Sequence, residues 1–226
     1  MKRITDTLLF LFVNLIFCTS CVGTKAIQED FRTETYKNRM ADFSRNPLSI
    51  GQIVFFGNSI TQAGEWSTYF PDLMVANRGI SGDNTEGMLA RIDEIANAKP
   101  KKFFIMAGIN DISLQRSNKK IVNNYRNILR TLRMASPETE IYIQSVLPIN
   151  NDFARYRRLI GKEKQVVDLN NRLRRLAEQE SGLFINLYPY FINPKGKLRN
   201  EFTNDGLHLT SDGYMLWVHI IQQHIK

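Results

Sequence analysis

Cysteine and histidine are scarce in this chain of 226 residues, and their scarcity excludes several kinds of site. The two cysteines, Cys18 and Cys21, lie near the N-terminus, and none follows them. The rest of the chain therefore has no framework of disulfides or of paired zinc-binding cysteines. The three histidines show no His-x-x-x-His spacing, so the sequence predicts no metal site.

Long apolar runs and phosphate-binding loops are also absent from the sequence. No run of about 18 apolar residues occurs, so no membrane-spanning helix is predicted. No Gly-x-Gly-x-x-Gly or P-loop pattern follows a predicted strand. We therefore expect the protein to work without a dinucleotide, ATP or any other cofactor.

Positive charge is in excess, with 30 Lys and Arg residues against 22 Asp and Glu, which gives a net charge of +8. Such an excess permits an anionic partner. No nucleic-acid-binding motif accompanies it, so we expect no nucleic acid as a partner. The basic segment 155–164 fits either a rim that meets acidic sugars or an ordinary solvated loop.

Residues 1–20 have the pattern of a secretory signal peptide. Lys2 and Arg3 precede the apolar stretch 8–17, and two small residues follow it. A positive end, an apolar core and small residues at the cut site define such a signal. We therefore expect an exported protein, in the periplasm or at the outer membrane of a Gram-negative bacterium.

Cys21 resembles the lipidated first residue of a bacterial lipoprotein, which would attach the protein to a membrane. Cys18 stands where such a processing site usually has an aliphatic residue, so plain cleavage, for example after Ala26, is the alternative. Residues 21–46 are polar and predict a tether followed by one short N-terminal helix. Residues 47–226 are then predicted to form one catalytic domain, long enough for a sizeable core.

Apolar runs alternate with helix-length segments through the predicted domain. The five runs cover residues 53–56, 73–76, 103–107, 141–147 and 183–187. They are continuous, which is typical of strands buried on both faces of a parallel sheet. Helices are predicted over residues 85–98, 119–135, 162–181 and from about 211 to the end. This alternation predicts an α/β fold with a doubly wound, five-stranded parallel sheet.

Ser59 follows the first predicted strand, in the turn Gly57-Asn58-Ser59-Ile60-Thr61. Ligands of such sheets bind at the carboxyl ends of the strands. A serine at this position is either a nucleophile beside a helix N-terminus or merely the cap of that helix. Thr61 replaces the second glycine of the Gly-x-Ser-x-Gly elbow, which argues against an α/β-hydrolase.

Gly82 and Asn110 lie in the turns after the second and third predicted strands. A glycine N–H and an asparagine amide are neutral donors that stabilise an oxyanion when they are held around one point. Glycine and asparagine are also common in ordinary turns, so this pattern alone leaves both interpretations open.

His208 is the histidine best placed to serve as a base. It precedes the C-terminal helix, and Asp205 lies three residues before it, within reach of the second ring nitrogen. A carboxylate there fixes the tautomer and stabilises the imidazolium, as the third member of a triad does. His219 and His224 lie on the predicted C-terminal helix and are not expected to be catalytic.

Together the four turns resemble the motifs of the SGNH hydrolases, also called the GDSL esterase/lipase family. The residues that carry the resemblance are Gly57-Asn58-Ser59-Ile60, Gly82, Gly108-x-Asn110-Asp111 and Asp205-x-x-His208. The resemblance covers about residues 50–226 and implies a flavodoxin-like, three-layer α/β/α sandwich.

The resemblance also implies roles for individual residues. Ser59 would be the nucleophile of a serine esterase. Its N–H group, Gly82 and Asn110 would donate to the oxyanion. Asp205 and His208 would complete the triad.

Two further stretches bear on what the resemblance implies. Asn58 stands where the family usually has Asp, which removes a charge from that position. Residues 77–83 are similar to the branch with platelet-activating-factor acetylhydrolase-like and carbohydrate acetylesterase members.

We expect a carboxylic ester hydrolase that removes short acyl groups, above all O-acetyl groups, from small-molecule or glycan esters. A lipid-directed acylhydrolase or lysophospholipase is the alternative enzyme, and a non-catalytic glycan-binding module is the alternative outside enzymes.

Overall fold

Five parallel strands form one sheet in the computed structural model of this chain, which describes residues 30–226. They are β1 Ile53–Gly57, β2 Val75–Gly79, β3 Lys102–Met106, β4 Glu140–Gln144 and β5 Leu183–Ile185. The order is β2-β1-β3-β4-β5, and every neighbouring pair is parallel. The predicted α/β fold with a five-stranded parallel sheet is confirmed, and this strand order is the flavodoxin-like one.

Helices flank the sheet and connect its strands. They are α1 Glu34–Arg45, α2 Ser59–Gln62, α3 Trp66–Tyr69, α4 Thr85–Ala90, α5 Ile92–Asn97, α6 Ile109–Ser113, α7 Asn118–Ala135, α8 Glu163–Gln179, α9 Tyr188–Phe191 and α10 Ser211–Ile225. Short 3₁₀ turns cover Asn151–Phe153, Arg157–Leu159 and Asn200–Phe202. Within residues 30–226, no helix has the length and apolar content needed to cross a membrane. The predicted signal peptide (1–20) and Cys21 lie outside the described residues.

The core is built on strands that are buried on both faces. All residues of β1 and β3 are buried, as the continuous apolar runs predict. Phe55 stacks between Trp66 and Phe104, with ring centroids 3.9 and 5.0 Å away. Trp217 of α10 packs edge-on against Trp66 and so covers this face of the sheet.

Strand β2 begins and ends later than the apolar run 73–76 predicts, and it includes two polar residues. The Asn77 amide donates to the carbonyl oxygens of three residues around α2, at 2.9–3.1 Å. The Arg78 guanidinium donates to Glu94 at 2.8 Å and to the Asn46 carbonyl at 2.7 Å. These tertiary partners compensate for burial of the polar groups, which the local pattern does not reveal.

The helix predicted over residues 85–98 is broken into α4 and α5 at Arg91. The Arg91 side chain turns inward, where it is fully buried and paired with buried Asp83 at 2.9 Å. It also donates to the carbonyl oxygens of Arg78 and Gly57, at 2.9 and 3.2 Å. Arg91 therefore ties the ends of β1 and β2 to the loop that contains Gly82.

Helix α1 packs against that same loop. Tyr36, Phe43 and Ile80 form a small buried cluster, and the Tyr36 hydroxyl donates to the Gly87 carbonyl at 3.2 Å. The Phe43 ring contacts three guanidinium groups, of which that of Arg78 is 4.5 Å from the ring centroid. The short helix expected within residues 21–46 is thus packed on the domain rather than free of it.

Candidate active site

Ser59 lies at the first position of α2, immediately after β1 and an intervening Asn58. Asn58 is buried and caps this helix, because its Oδ1 accepts the Ile60 N–H at 3.0 Å. The Ser59 hydroxyl is therefore not used as a helix cap, and it lies 2.9 Å from Nε2 of His208. A neutral side chain at position 58 is sufficient for the capping role.

His208 is held by Asp205 within one turn of chain. Asp205 Oδ2 lies 2.7 Å from Nδ1 of His208, while Oδ1 accepts the backbone N–H groups of Leu207 and His208 at 2.9 and 2.8 Å. A carboxylate at Nδ1 keeps the proton of a neutral imidazole on that nitrogen. Nε2 is then free to accept the hydroxyl proton of Ser59.

Asp205 has an environment that favours its charged form. Partial burial raises the pKa of this carboxyl, but hydrogen bonds from His208, Tyr156 and Leu207 outweigh burial and hold the pKa well below its usual range. The carboxylate therefore stays ionised at neutral pH, as an orienting group for His208 requires.

Tyr156 is a site residue that sequence reasoning missed. Its hydroxyl donates to Asp205 Oδ2 at 2.8 Å and lies 3.0 Å from Nδ1 of His208. Burial and the hydrogen bond to Asp205 raise the pKa of Tyr156 to about 12, so the phenol keeps its proton at neutral pH. The basic segment 155–164 was the sequence feature that could have pointed to Tyr156. Nothing in that segment, however, distinguishes the tyrosine from the arginines as a site residue.

The structure brings that basic segment to the site at Tyr156. Its Arg155, Arg157 and Lys164 side chains are exposed. The 3₁₀ turn Arg157–Leu159 buries Leu159 in the core and thereby anchors the loop. The segment is therefore an edge of the site with an exposed basic surface.

Gly82 lies in a loop that is tied to both neighbouring turns. Its φ of +80° is a conformation that favours glycine, although a Cβ there would meet no atom within 4 Å. The preceding Ser81 N–H donates to Gln62 Oε1 of α2 at 2.6 Å. On the other side, the Asn110 amide donates to the Asp83 carbonyl at 2.7 Å.

Three N–H groups are left as donors at this edge of the sheet. The backbone N–H groups of Ser59 and Gly82 have no acceptor among residues 30–226, and one amide hydrogen of Asn110 is not used by Asp83. Such donors bind a negatively charged oxygen when one is placed between them.

Buried Asp111 holds the Asn110 turn against the start of α4. Its carboxylate accepts the Thr85 N–H at 3.0 Å and the Thr85 hydroxyl at 2.7 Å, and Arg116 pairs with it at 3.3 Å. Burial raises the pKa of Asp111 above its usual value, and the hydrogen bonds from Thr85 and the ion pair with Arg116 offset only part of this rise. Gly108 precedes this turn and has a φ of +123°, a conformation that favours glycine. A Cβ at this position would lie 2.7 Å from the Leu169 side chain, so there is no space for a larger residue.

The described part of the chain has no group of three or more His, Cys, Asp or Glu side chains that could hold a metal ion. The groups assembled around Ser59 are hydrogen-bond donors and acceptors with one imidazole and one carboxylate. Their arrangement suits proton transfer from a hydroxyl and stabilisation of an oxyanion.

Comparison with known families matches this arrangement to an enzyme class. The GDSL-like Lipase/Acylhydrolase family model matches residues 55–216. The chain belongs to this family. This GDSL-like acylhydrolase is a carboxylic ester hydrolase.

A characterised relative of this GDSL-like acylhydrolase is the alpha1 subunit of platelet-activating factor acetylhydrolase IB from Rattus norvegicus. It is 25% identical over 169 residues, which cover 72% of this chain and 70% of that protein. The alpha2 subunit from Homo sapiens is 25% identical over 168 residues, with the same coverage.

Solved structures share the fold of this GDSL-like acylhydrolase. A GDSL-like lipase from Bacteroides thetaiotaomicron VPI-5482 superposes with a TM-score of 0.75 at 24% identity, covering 87% of this chain and 98% of that one. An acetylxylan esterase from Geobacillus stearothermophilus superposes with a TM-score of 0.63 at 19% identity, covering 79% and 95%.

Proposed function

We propose that this protein hydrolyses short-chain acyl esters, chiefly O-acetyl esters of carbohydrates, with Ser59, His208 and Asp205 as a catalytic triad. The observation that carries the proposal is the hydrogen-bonded chain from Ser59 Oγ through His208 to Asp205, at 2.9 and 2.7 Å. The three unused N–H donors beside Ser59 support it.

In the first half of the reaction, Nε2 of His208 takes the hydroxyl proton as Ser59 Oγ attacks the ester carbonyl. The negative charge that develops on the carbonyl oxygen is stabilised by the N–H groups of Ser59 and Gly82 and by the Asn110 amide. Each such donor contributes roughly 3 kcal/mol to lowering the barrier. The C–O bond then breaks, and His208 gives its proton to the departing alcohol.

In the second half, water replaces the alcohol. His208 takes a proton from a water molecule as the water oxygen attacks the carbonyl carbon of the acyl group on Ser59. The same three N–H donors stabilise the second oxyanion. The bond to Ser59 Oγ breaks, Oγ regains its proton from His208, and the carboxylic acid leaves. Asp205 stays ionised throughout and stabilises the imidazolium in both halves.

Two comparisons support an acetyl ester as substrate. The relatives named platelet-activating factor acetylhydrolase and the neighbour named acetylxylan esterase have the removal of acetyl groups in common. The signal-like residues 1–20 support a location outside the cytoplasm, where glycans are accessible.

A phospholipid ester is the second candidate, because platelet-activating factor is the substrate in the relatives' name.

The test is hydrolysis of p-nitrophenyl acetate, butyrate and octanoate by the protein and by Ser59→Ala. We expect acetate to be the best substrate and the Ser59→Ala variant to lose about 1,000-fold or more in kcat. Ser44→Ala, an exposed hydroxyl change on α1, is the control and should not alter the rate. Equal rates for Ser59→Ala and wild type would refute the proposal.

The alcohol part is then tested with acetylated xylo-oligosaccharide and with an acetylated lysophospholipid. Faster release of acetate from the sugar is the expected result. Faster release of acetate from the phospholipid than from the sugar would favour the second candidate.

A further inference from the structure

A cleft of about 550 Å³ lies between α7 and α8 on the surface of the molecule. Both helices contribute cations to its wall, namely Lys119, Lys120, Arg126, Arg172 and Arg175. No carboxylate is among its lining residues, and no residue of the candidate active site lines it. It is therefore a concave surface separate from the candidate active site, with a chemistry of its own.

Most of the excess positive charge of the chain is on these two helices. Helix α7 has five cations and no carboxylate, and α8 has four cations and three carboxylates. Nine cations against three carboxylates give the pair a net charge of +6, whereas the whole chain has +8. The excess charge is thus carried mainly by the two helices that form the cleft, and five of their nine cations line it.

Part of this charge forms no ion pair within residues 30–226. Arg172 pairs with Asp168 at 2.7 Å, and Arg126 pairs with Glu180 at 3.4 Å. Lys119, Lys120 and Arg175 form no ion pair among residues 30–226.

The spacing of the cations also costs stability. Arg126 and Arg130 are four residues apart on α7, and Arg172 and Arg175 are three residues apart on α8. Like charges at these spacings destabilise a helix. Glu180 Oε1, 3.4 Å from both Arg126 and Arg130, and Asp168, paired with Arg172, offset part of this repulsion. An anion bound between the helices would relieve the rest.

The remaining lining groups indicate what kind of anion fits. Ser117, Asn123 and Gln179 add a hydroxyl and two carboxamides, which suit a ligand that carries hydroxyl groups as well as charge. None of the lining residues is aromatic, so the cleft has no platform on which nucleic-acid bases could stack. Val122 and Leu176 are the only apolar lining residues, too few for insertion into a lipid surface.

We propose that the cleft between α7 and α8 binds an anionic polysaccharide, a chain of acidic sugars such as uronic acids. Lys119, Lys120 and Arg175 pair with the sugar carboxylates, and the carboxamides and the Ser117 hydroxyl bind sugar hydroxyls. This binding is independent of ester hydrolysis, so Ser59→Ala should bind the polymer as wild type does.

The test measures the affinity of the full protein for polygalacturonate, with neutral dextran as the comparison polymer. The triple variant Lys119→Gln, Lys120→Gln, Arg175→Gln should bind polygalacturonate about tenfold more weakly or worse. A matched control removes three exposed lysines elsewhere, Lys37→Gln, Lys101→Gln and Lys195→Gln, and should bind as wild type. All five changed lysines and Arg175 are exposed, so both variants keep the fold, which melting curves verify.

Weaker binding in the cleft variant alone supports the proposal. An equal loss in the control variant would overturn it, because net charge and not the cleft would then govern binding. Unchanged binding in the cleft variant would overturn it as well. Tighter binding to phosphatidylglycerol vesicles or to single-stranded DNA than to polygalacturonate would overturn it in favour of a membrane or a nucleic acid.

Discussion

Asp205 orients His208, and Tyr156 in turn orients Asp205. The Tyr156 hydroxyl and His208 Nδ1 both point to the same carboxylate oxygen, at 2.8 and 2.7 Å. Two donors on one oxygen share its negative charge, so the tyrosine moderates how strongly Asp205 stabilises a protonated imidazole. Tyr156 is therefore a positioning residue of the proposed triad.

Tyr156→Phe removes this donor and leaves the ring. We expect kcat to fall about threefold to tenfold, the equivalent of one hydrogen bond. Asp205 would then favour the protonated imidazole more strongly, so the acid limb of the kcat/KM profile should move to higher pH. The measurement is the pH profile of p-nitrophenyl acetate hydrolysis.

Tyr142→Phe is the matched control, because its hydroxyl donates at 2.6 Å to the carboxylate of Glu140 on β4. This control should leave the rate and the pH profile unchanged. A Tyr156→Phe profile that coincides with that of wild type would contradict the positioning role.

Asp205 also makes stability depend on pH. Its pKa is lower in the folded protein than in the unfolded chain, where it is about 3.9. The ionised carboxylate therefore stabilises the fold above that pH, and the stabilisation is lost as the pH falls toward the folded-state pKa. Asp205→Asn should lower the free energy of unfolding by about 2 kcal/mol at pH 7, and this effect should be about 1 kcal/mol smaller at pH 3.

Urea unfolding of wild type and Asp205→Asn at both pH values measures this difference. Asp72→Asn, an exposed change, is the control and should have a small effect at either pH. A difference between wild type and Asp205→Asn that is equally large at pH 3 would be inconsistent with the lowered pKa.

At the scale of elements, the donors of the proposed oxyanion site come from three separate turns. The turns after β1, β2 and β3 contribute Ser59, Gly82 and Asn110, respectively. The strand order places β1 between β2 and β3, so these three turns meet at one edge of the sheet. Arg91, at the break between α4 and α5, joins two of these turns through buried contacts.

Arg91→Gln should lower the free energy of unfolding by about 3–5 kcal/mol, because it leaves the Asp83 carboxylate buried without a counter-charge. The measurement is equilibrium urea unfolding. Arg45→Gln, which removes an exposed pair with Asp42, should change stability by about 0.5 kcal/mol or less.

A double variant keeps this prediction testable if the single variant folds poorly. Asp83→Asn with Arg91→Gln removes both charges, so the double variant should be more stable than Arg91→Gln alone. A double variant that is less stable than Arg91→Gln would show that loss of packing, and not the unpaired charge, is the cause.

At the scale of the whole molecule, the net charge of +8 sets up a long-range attraction for anions. An anionic ester such as p-nitrophenyl hemisuccinate should therefore show a kcat/KM that falls about threefold or more between 20 and 500 mM NaCl, since salt screens this attraction. Neutral p-nitrophenyl butyrate is the control and should show little change. Equal salt dependence for the two esters would rule out electrostatic attraction of substrate.

The local pattern of apolar residues predicted the strands correctly where burial is what determines the strand. Continuous apolar runs predicted β1, β3 and β4, because strands covered on both faces contain few polar residues. The run 183–187 also predicted β5, although Leu183 of this edge strand is exposed. The same rule failed for β2, where partly buried Asn77 and buried Arg78 bind partners that are distant in the sequence. It also failed at Arg91, whose inward contacts break a helix that its spacing predicts as continuous.

The sequence by itself determined the fold class and the family, and its turn motifs were enough to select Ser59, Gly82, Asn110, Asp205 and His208 as candidates. Only the tertiary structure decided which side chains meet: Ser59 and His208 are 149 residues apart in the chain yet 2.9 Å apart in space. Tyr156 and the basic cleft are likewise products of tertiary packing. The physical reason is that residue patterns report local burial and turn geometry, whereas contacts across the chain depend on strand order and on how loops and helices pack.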